Sequence, residues 1–142
     1  MIVAYWSFFF PTDEIIDRIS TGEFAEGSLT ESDVLVVRGP MKRPIYVSML
    51  TMHPAISNNN RVRHLLYHSM LTAIDDLKAN EIDITDIYAH AFTAHGRNIA
   101  RKMGLTDVVG VGDHPLLKGV WNAEMRKKLF RHSKRAAEQL PD

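Results

Sequence analysis

Cysteine is absent from the 142 residues, which excludes disulfides, thiolate metal ligands and a cysteine nucleophile and fits a reducing compartment. Net charge is absent too. Seventeen basic residues balance seventeen acidic ones, so no global field recruits nucleic acid or a membrane surface. No apolar run is long enough to cross a bilayer. The apolar stretch over residues 1–10 has no basic flank and meets Pro11, Thr12, Asp13 and Glu14 at once, unlike a signal peptide. A buried first strand in a cytoplasmic protein is the expectation. Gly/Ser linkers, low-complexity tracts and internal repeats are also missing. What is present is ordinary: 45% apolar and 24% charged residues, the balance of a soluble globular chain long enough for one domain.

Residues 1–7 read as a strand. Thr12 or Asp13 caps a short helix to about residue 19, with acidic residues in its first turn, and residues 21–33 read as loop. Residues 34–38 and 45–52 are β-rich, and Gly39, Pro40 and Pro44 supply turn chemistry between them, which predicts an antiparallel hairpin. Val62, Leu65, Leu66, Met70, Ala73, Ile74 and Leu77 recur at helical spacing, predicting a helix over 60–79. A turn at 80–83 leads to a strand at 84–92 and a helix at 94–103 stopped by Gly104. Strands are expected at 108–111 and 119–125 around a turn at 112–115, then a basic helix at 126–139. This order predicts an α/β (α+β) fold, a mixed sheet with helices on both faces. The expected organisation is one domain over 1–125, with residues 126–142 as a basic tail packed on it or extending from it.

The most informative stretch is residues 50–66. There a β-rich run breaks at Pro54, crosses Asn58, Asn59 and Asn60, and enters the long amphipathic helix. A first helical turn offers unpaired N–H groups and the positive end of the dipole, a ready anion site. The element order with this junction resembles the GNAT superfamily of N-acetyltransferases, over roughly residues 34–125. In that family the central strand ends in a hydrophobic-x-hydrophobic-x-Pro pattern, matched by Leu50, Met52 and Pro54, and the helix carries a leucine pair, matched by Leu65 and Leu66. Between them a glycine-bearing loop cradles the coenzyme A pyrophosphate on backbone amides.

The resemblance implies a mostly antiparallel mixed sheet and acetyl-coenzyme A as cofactor. It implies a binding set of Thr51, Met52, Ser57, Asn58, Asn59, Asn60, Arg61, Val62, Arg63 and Thr93. Ser57 stands in the family's Gln/Arg position, and Asn60 and Val62 stand in its two glycine positions. Asparagine tolerates left-handed backbone angles, so Asn60 is expected to hold the turn. Arg61 and Arg63 are expected to reach phosphate with their side chains, and Asn58 or Asn59 to cap the helix. Downstream, Gly104-Leu105 fills the family's Gly-Phe position and Thr93 an asparagine position. Ala100 stands where many members carry the tyrosine that protonates the leaving thiolate.

Acetyl transfer to an amine needs a base for the ammonium and often an acid for the departing sulfur. The candidates are His53 at the end of the central strand, and His90 with Tyr88 in the next one. A histidine titrating near ~6.5 suits proton transfer at neutrality. For His53 a strand-end residue without a role stays open beside the catalytic reading, and core packing stays open for His90 and Tyr88. His95, in the first turn of the following helix, is a further possible base. His64 and His68 share the spacing of a two-histidine metal site but lack an obvious third ligand, so a hydrated helix face is the alternative and no metal is assigned.

Arg126, Lys127, Lys128, Arg131, Lys134 and Arg135 form the one strong charge cluster. It reads either as a nucleic-acid contact or as a solvated helix docked by Leu129 and Phe130. Acceptor specificity is expected in residues 11–33 and 110–119, and a homodimer could form beside the last strand. The leading function is acetyl transfer from acetyl-coenzyme A to a small-molecule or protein amine. The alternative is a GNAT-like fold without catalysis that binds protein or nucleic acid.

Overall fold

A computed structural model describes residues 4–53, 55, 59–90, 94–109 and 116–138. In chain order these form β1 (Ala4–Pro11), α1 (Asp13–Thr21), short 3-10 turns at Glu26–Ser28 and Glu31–Asp33, β2 (Val34–Leu35) and β3 (Met41–Met52). Then come α2 (Asn60–Ala79), β4 (Ile82–His90), α3 (Ala94–Met103), β5 (Thr106–Val109), β6 (Leu116–Val120) and α4 (Ala123–Glu138). The strands make one six-stranded sheet in the order β2-β1-β3-β4-β6-β5. Every neighbouring pair is antiparallel except β3 with β4, which run parallel. This is the mixed, mostly antiparallel sheet the sequence predicts.

Local chemistry sets the helix ends. Thr12 accepts the Ile15 N–H at the start of α1, and Gly22, at φ 77°, closes it in the left-handed region. Asn59 caps α2 by accepting the Val62 N–H at 3.2 Å. Gly104 ends α3 at φ 102°, a conformation that other residues reach only with strain. α2 and α3 occupy the predicted residues.

All six strands differ from the sequence prediction in bounds or partner, and so does one helix start. The predicted hairpin does not form: β2 pairs with Phe10 and Pro11 of β1, and β3 lies between β1 and β4. Residues 41–44, read as turn, belong to β3, because the Met41 N–H donates to the Glu81 carbonyl and starts the parallel pairing. Pro44, which has no N–H to give a ladder, falls at the register irregularity between Arg43 and Ile45. β1 extends through Phe8, Phe9 and Phe10 to Pro11, and β4 starts at Ile82 instead of Ile84. β5 starts at Thr106; the predicted residues 110 and 111, the 112–115 turn and residues 91–92 lie outside the described residues. The last strand is Leu116–Val120, since Asn122 accepts the Met125 N–H at 2.9 Å and starts α4 there.

The sheet packs on both faces. On one, Ile45 and Val47 of β3 and Ile87 and Ala89 of β4 meet Leu66, Met70 and Ile74 of α2, Met103 of α3 and Leu129 of α4. On the other, Tyr46, Tyr88 and Leu116 meet Ile15 and Ile19 of α1. Each fully buried side chain of this size contributes roughly 1.5–3 kcal/mol. Three β4 steps, Ile84 to Ile87, match two β3 steps, Arg43 to Ile45, which keeps Ile84 and Ile87 in the same core cluster as α2.

Candidate functional site

β3 and β4 stay in parallel register as far as Val47 and Ala89 among the described residues. β3 then continues to Met52, still paired to β1, while β4 ends at His90. Open sheets bind ligands outside the carboxyl ends of their parallel strands, and Met52 and His90 mark that end here. α2 and α3 follow directly on these two strands, so both begin at this end.

The start of α2 is unusual in its charge. Its first turn holds no acidic residue but carries Arg61 and Arg63, cations at the positive end of the dipole. Asn60 is already the first helical residue, which corrects the expectation that it holds a left-handed turn. Val62 gives its amide to the Asn59 cap and packs its side chain on the core. Arg61 is exposed, and Arg63 is half-buried. Thr51 and Met52 lie at the end of β3, opposite Tyr5 and Ala4. Pro54, Ser57, Asn58 and Thr93 lie outside the described residues.

The two histidines differ. His53 is exposed, and its Nδ1 accepts the Ala55 N–H at 3.1 Å, which puts the proton of the neutral ring on Nε2. His90 is half-buried at the last position of β4, with Nδ1 3.0 Å from the Tyr46 hydroxyl. Phe24, from the loop after α1, stacks on the His90 ring at 5.8 Å between centroids. Tyr46 is fully buried, on the β3 face covered by α1. Tyr88, two residues before His90 on β4, is buried on that face under the ammonium of Lys118, 5.5 Å from its ring centre.

Tyr46 is a residue the sequence reading missed. Its partner is 44 positions away, and only the period-two alternation of β3 and β4 could have hinted that both face α1. Ala100, in the family's tyrosine position, is buried in the core on α3.

The His64 Nδ1 lies 3.0 Å from the Ser133 carbonyl and 3.1 Å from its hydroxyl, tying α2 to α4, and His68 stacks on the His64 ring. Among the described residues no group of three or more His, Cys, Asp or Glu is placed to hold a metal. Two of the six basic residues expected to form a cluster on α4 are in ion pairs. Arg126 makes a two-pronged contact with Asp75, at 2.6 and 3.1 Å, and Lys134 lies 3.9 Å from Glu138. Leu129 docks in the core, but Phe130, expected to dock with it, is 54% exposed.

His132 and Arg135 line a cavity of about 220 Å³ with Asn60, Arg63, Tyr67 and Lys102. Burial pushes the Tyr67 hydroxyl above the ordinary tyrosine range, partly offset by Arg63 beside it. Burial also holds His132 below the ordinary histidine range. Its bond to the Lys102 carbonyl opposes that shift, and the charges of Lys102, Arg135 and Arg131 add to it.

No protein-family model matches the chain, and neither does any curated protein. In solved structures, the fold is similar to the crystal structure of AtaTR bound with AcCoA, with a TM-score of 0.50 and 12% identity. That likeness covers 90% of this chain and 66% of that one, so the chain spans just under two thirds of its length. The chain has a GNAT-like fold.

Proposed function

We propose that this chain is an acyltransferase that moves an acetyl group from acetyl-coenzyme A to an amine. The observation that carries the reading is that α2 begins beyond the carboxyl end of β3, the strand that runs parallel to β4, in a GNAT-like sheet. The residues present suit an anionic cofactor. A capped helix start without acids, two arginines in its first turn and a basic cavity beside it favour phosphate. The first turn of α2 with Arg61 and Arg63 would hold the diphosphate, and the end of β3 at Thr51 and Met52 would flank the thioester arm. Bound there, the cofactor supplies the acetyl group as an activated thioester.

The chain's own part is proton handling and acceptor placement. His90 is the base we assign, because it stands at the last position of β4, at the carboxyl end of the parallel pair, and is held by a buried partner. To take a proton on Nε2, the neutral ring must carry its own on Nδ1 and donate it to the Tyr46 oxygen. His53 has the opposite tautomer imposed by Ala55, which makes its Nε2 a donor. Phe24 walls the acceptor side of the His90 ring. Tyr88, on the same face, is the hydroxyl we assign to the departing sulfur. The acceptor class is an amine, and the reaction belongs in the cytoplasm.

A thermal-shift titration with acetyl-coenzyme A tests the reading, followed by thiol release with a panel of amines. We expect a ligand-dependent rise in melting temperature and turnover that His90→Gln removes. An unchanged melting temperature at millimolar cofactor would overturn it. A second reading, a binding module without catalysis, draws on exposed Phe130 among Lys127, Arg131 and Lys134, an aromatic set in cations as single-stranded nucleic acid prefers. Salt-dependent RNA binding lost in Phe130→Ala, with no turnover, would favour it.

A further inference from the structure

On the acyltransferase reading, we propose that the cavity between α2, α3 and α4 is a phosphomonoester site, and that α4 thereby completes the cofactor site by holding the terminal phosphate of coenzyme A. The cavity is lined by Arg63 from the first turn of α2, Lys102 from the last turn of α3 and Arg135 from the last turn of α4. Asn60, Tyr67 and His132 complete the polar lining, and among the described residues no carboxylate lines it.

The pattern of ion pairs separates these cations from their neighbours. Arg101 on α3 pairs with Asp107, Arg126 on α4 with Asp75, and Lys134 with Glu138. Arg63, Lys102 and Arg135 have no such partner among the described residues. Lys102 and Arg135 have an ordinary reason to stand where they do, since helix C-termini favour cations. Arg63 has none, because it faces the positive end of its own helix. Three like charges on one cavity of about 220 Å³ repel one another until an anion enters.

A phosphomonoester suits that charge better than a diester. It carries about −1.5 to −2 charges at pH 7 and three acceptor oxygens. Because Asn60 and Arg63 also belong to the start of α2, the cavity continues from the proposed diphosphate position. One cofactor bearing both groups would span them.

His132 is the built-in reporter. Its Nε2 lies 3.2 Å from the Lys102 carbonyl and so donates to it, while burial and the surrounding cations hold its titration below the ordinary histidine range. A dianion beside it must move its titration upward.

The test compares coenzyme A, 3′-dephospho-coenzyme A and inorganic phosphate by calorimetry at fixed salt. It uses the intact protein, Lys102→Met and Arg135→Ala, with His132 followed by NMR. Both substituted positions are exposed, so the folded state tolerates them. We expect coenzyme A to bind at least about tenfold more tightly than its dephospho form. Each variant should remove that preference without changing dephospho-coenzyme A affinity, and His132 should titrate higher with coenzyme A only. Equal affinities in the intact protein, or variants that weaken both ligands alike, overturn this inference and leave the acyltransferase reading standing. Binding of neither coenzyme A overturns both. If inorganic phosphate alone shifts His132 while neither coenzyme binds, the cavity is a phosphate site for another source and the cofactor assignment is overturned.

Discussion

Tyr46 is fully buried, and its hydroxyl lies 3.0 Å from Nδ1 of His90. Removing its hydroxyl in Tyr46→Phe keeps the ring against Phe9 and Phe24 but takes away the oxygen at Nδ1. We expect kcat to fall about tenfold, the worth of one positioning hydrogen bond of roughly 1.4 kcal/mol, with KM for acetyl-coenzyme A unchanged. His90→Gln should cost on the order of 10²–10⁴ in kcat, the usual share of a general base. Equal turnover in both variants would return His90 to a packing role. Its place on a strand was legible from the alternation of β4. Its bond to Tyr46 was not, because cross-strand partners are set by register and not by local sequence.

His132 makes a prediction of the same scale about pH. Burial and neighbouring cations lower its folded-state titration below the unfolded value of about 6.5. Between those two points the unfolded chain holds the extra proton, so stability rises with pH there. The contribution is complete above about pH 6.5 and is lost as pH falls toward the folded value. Denaturant midpoints measured from pH 5 to 8 should therefore slope less in His132→Gln than in the native chain. An identical slope would mean that the ring titrates alike in both states.

Elements show best where sequence reading holds and where it fails. α2 was legible to the residue because a seven-position apolar stripe and the Asn59 cap agree with each other. The hairpin failed for a complementary reason. Gly39, Pro40 and Pro44 announce a turn, but a turn signal does not name the strand's partner, and Val34-Leu35 found Phe10-Pro11 instead. α4 was legible as a basic helix, while its start at Ala123 was hidden by the β-prone Val120 and Trp121 before it.

Two predictions belong here. Leu129→Ala, fully buried between α4 and the core, should cost about 2–5 kcal/mol, whereas Asp75→Asn, breaking an exposed pair with Arg126, should cost less than about 1. Gly39→Ala should destabilise by roughly 1–3 kcal/mol, because a Cβ there would run into the Asn80 backbone carbonyl, which has no rotamer to yield. Chemical denaturation orders all three. A costly Asp75→Asn would show that the α2–α4 seam depends on charge.

At the scale of the molecule, the sheet and the site make one testable whole. The fold class could be read from element order, yet the site we propose draws on residues far apart in the chain: Arg63, Lys102 and Arg135 stand on three helices, and Tyr46 and His90 on two strands. Such a site holds together only in the folded chain, so its ligand binds native protein and not the unfolded one. Mass action then sets the size of the effect. A cofactor at a hundredfold its dissociation constant adds about 2.7 kcal/mol, which in a domain of 142 residues raises the melting temperature by several degrees. Acetyl-coenzyme A should do this in the native chain and do it less in Arg135→Ala, whose side chain lies far along the sequence from the α2 start but shares its cavity. If Arg61→Ala and Arg63→Ala abolish the shift while Arg135→Ala leaves it intact, the ligand is held by the helix start alone and α4 serves only to close the core.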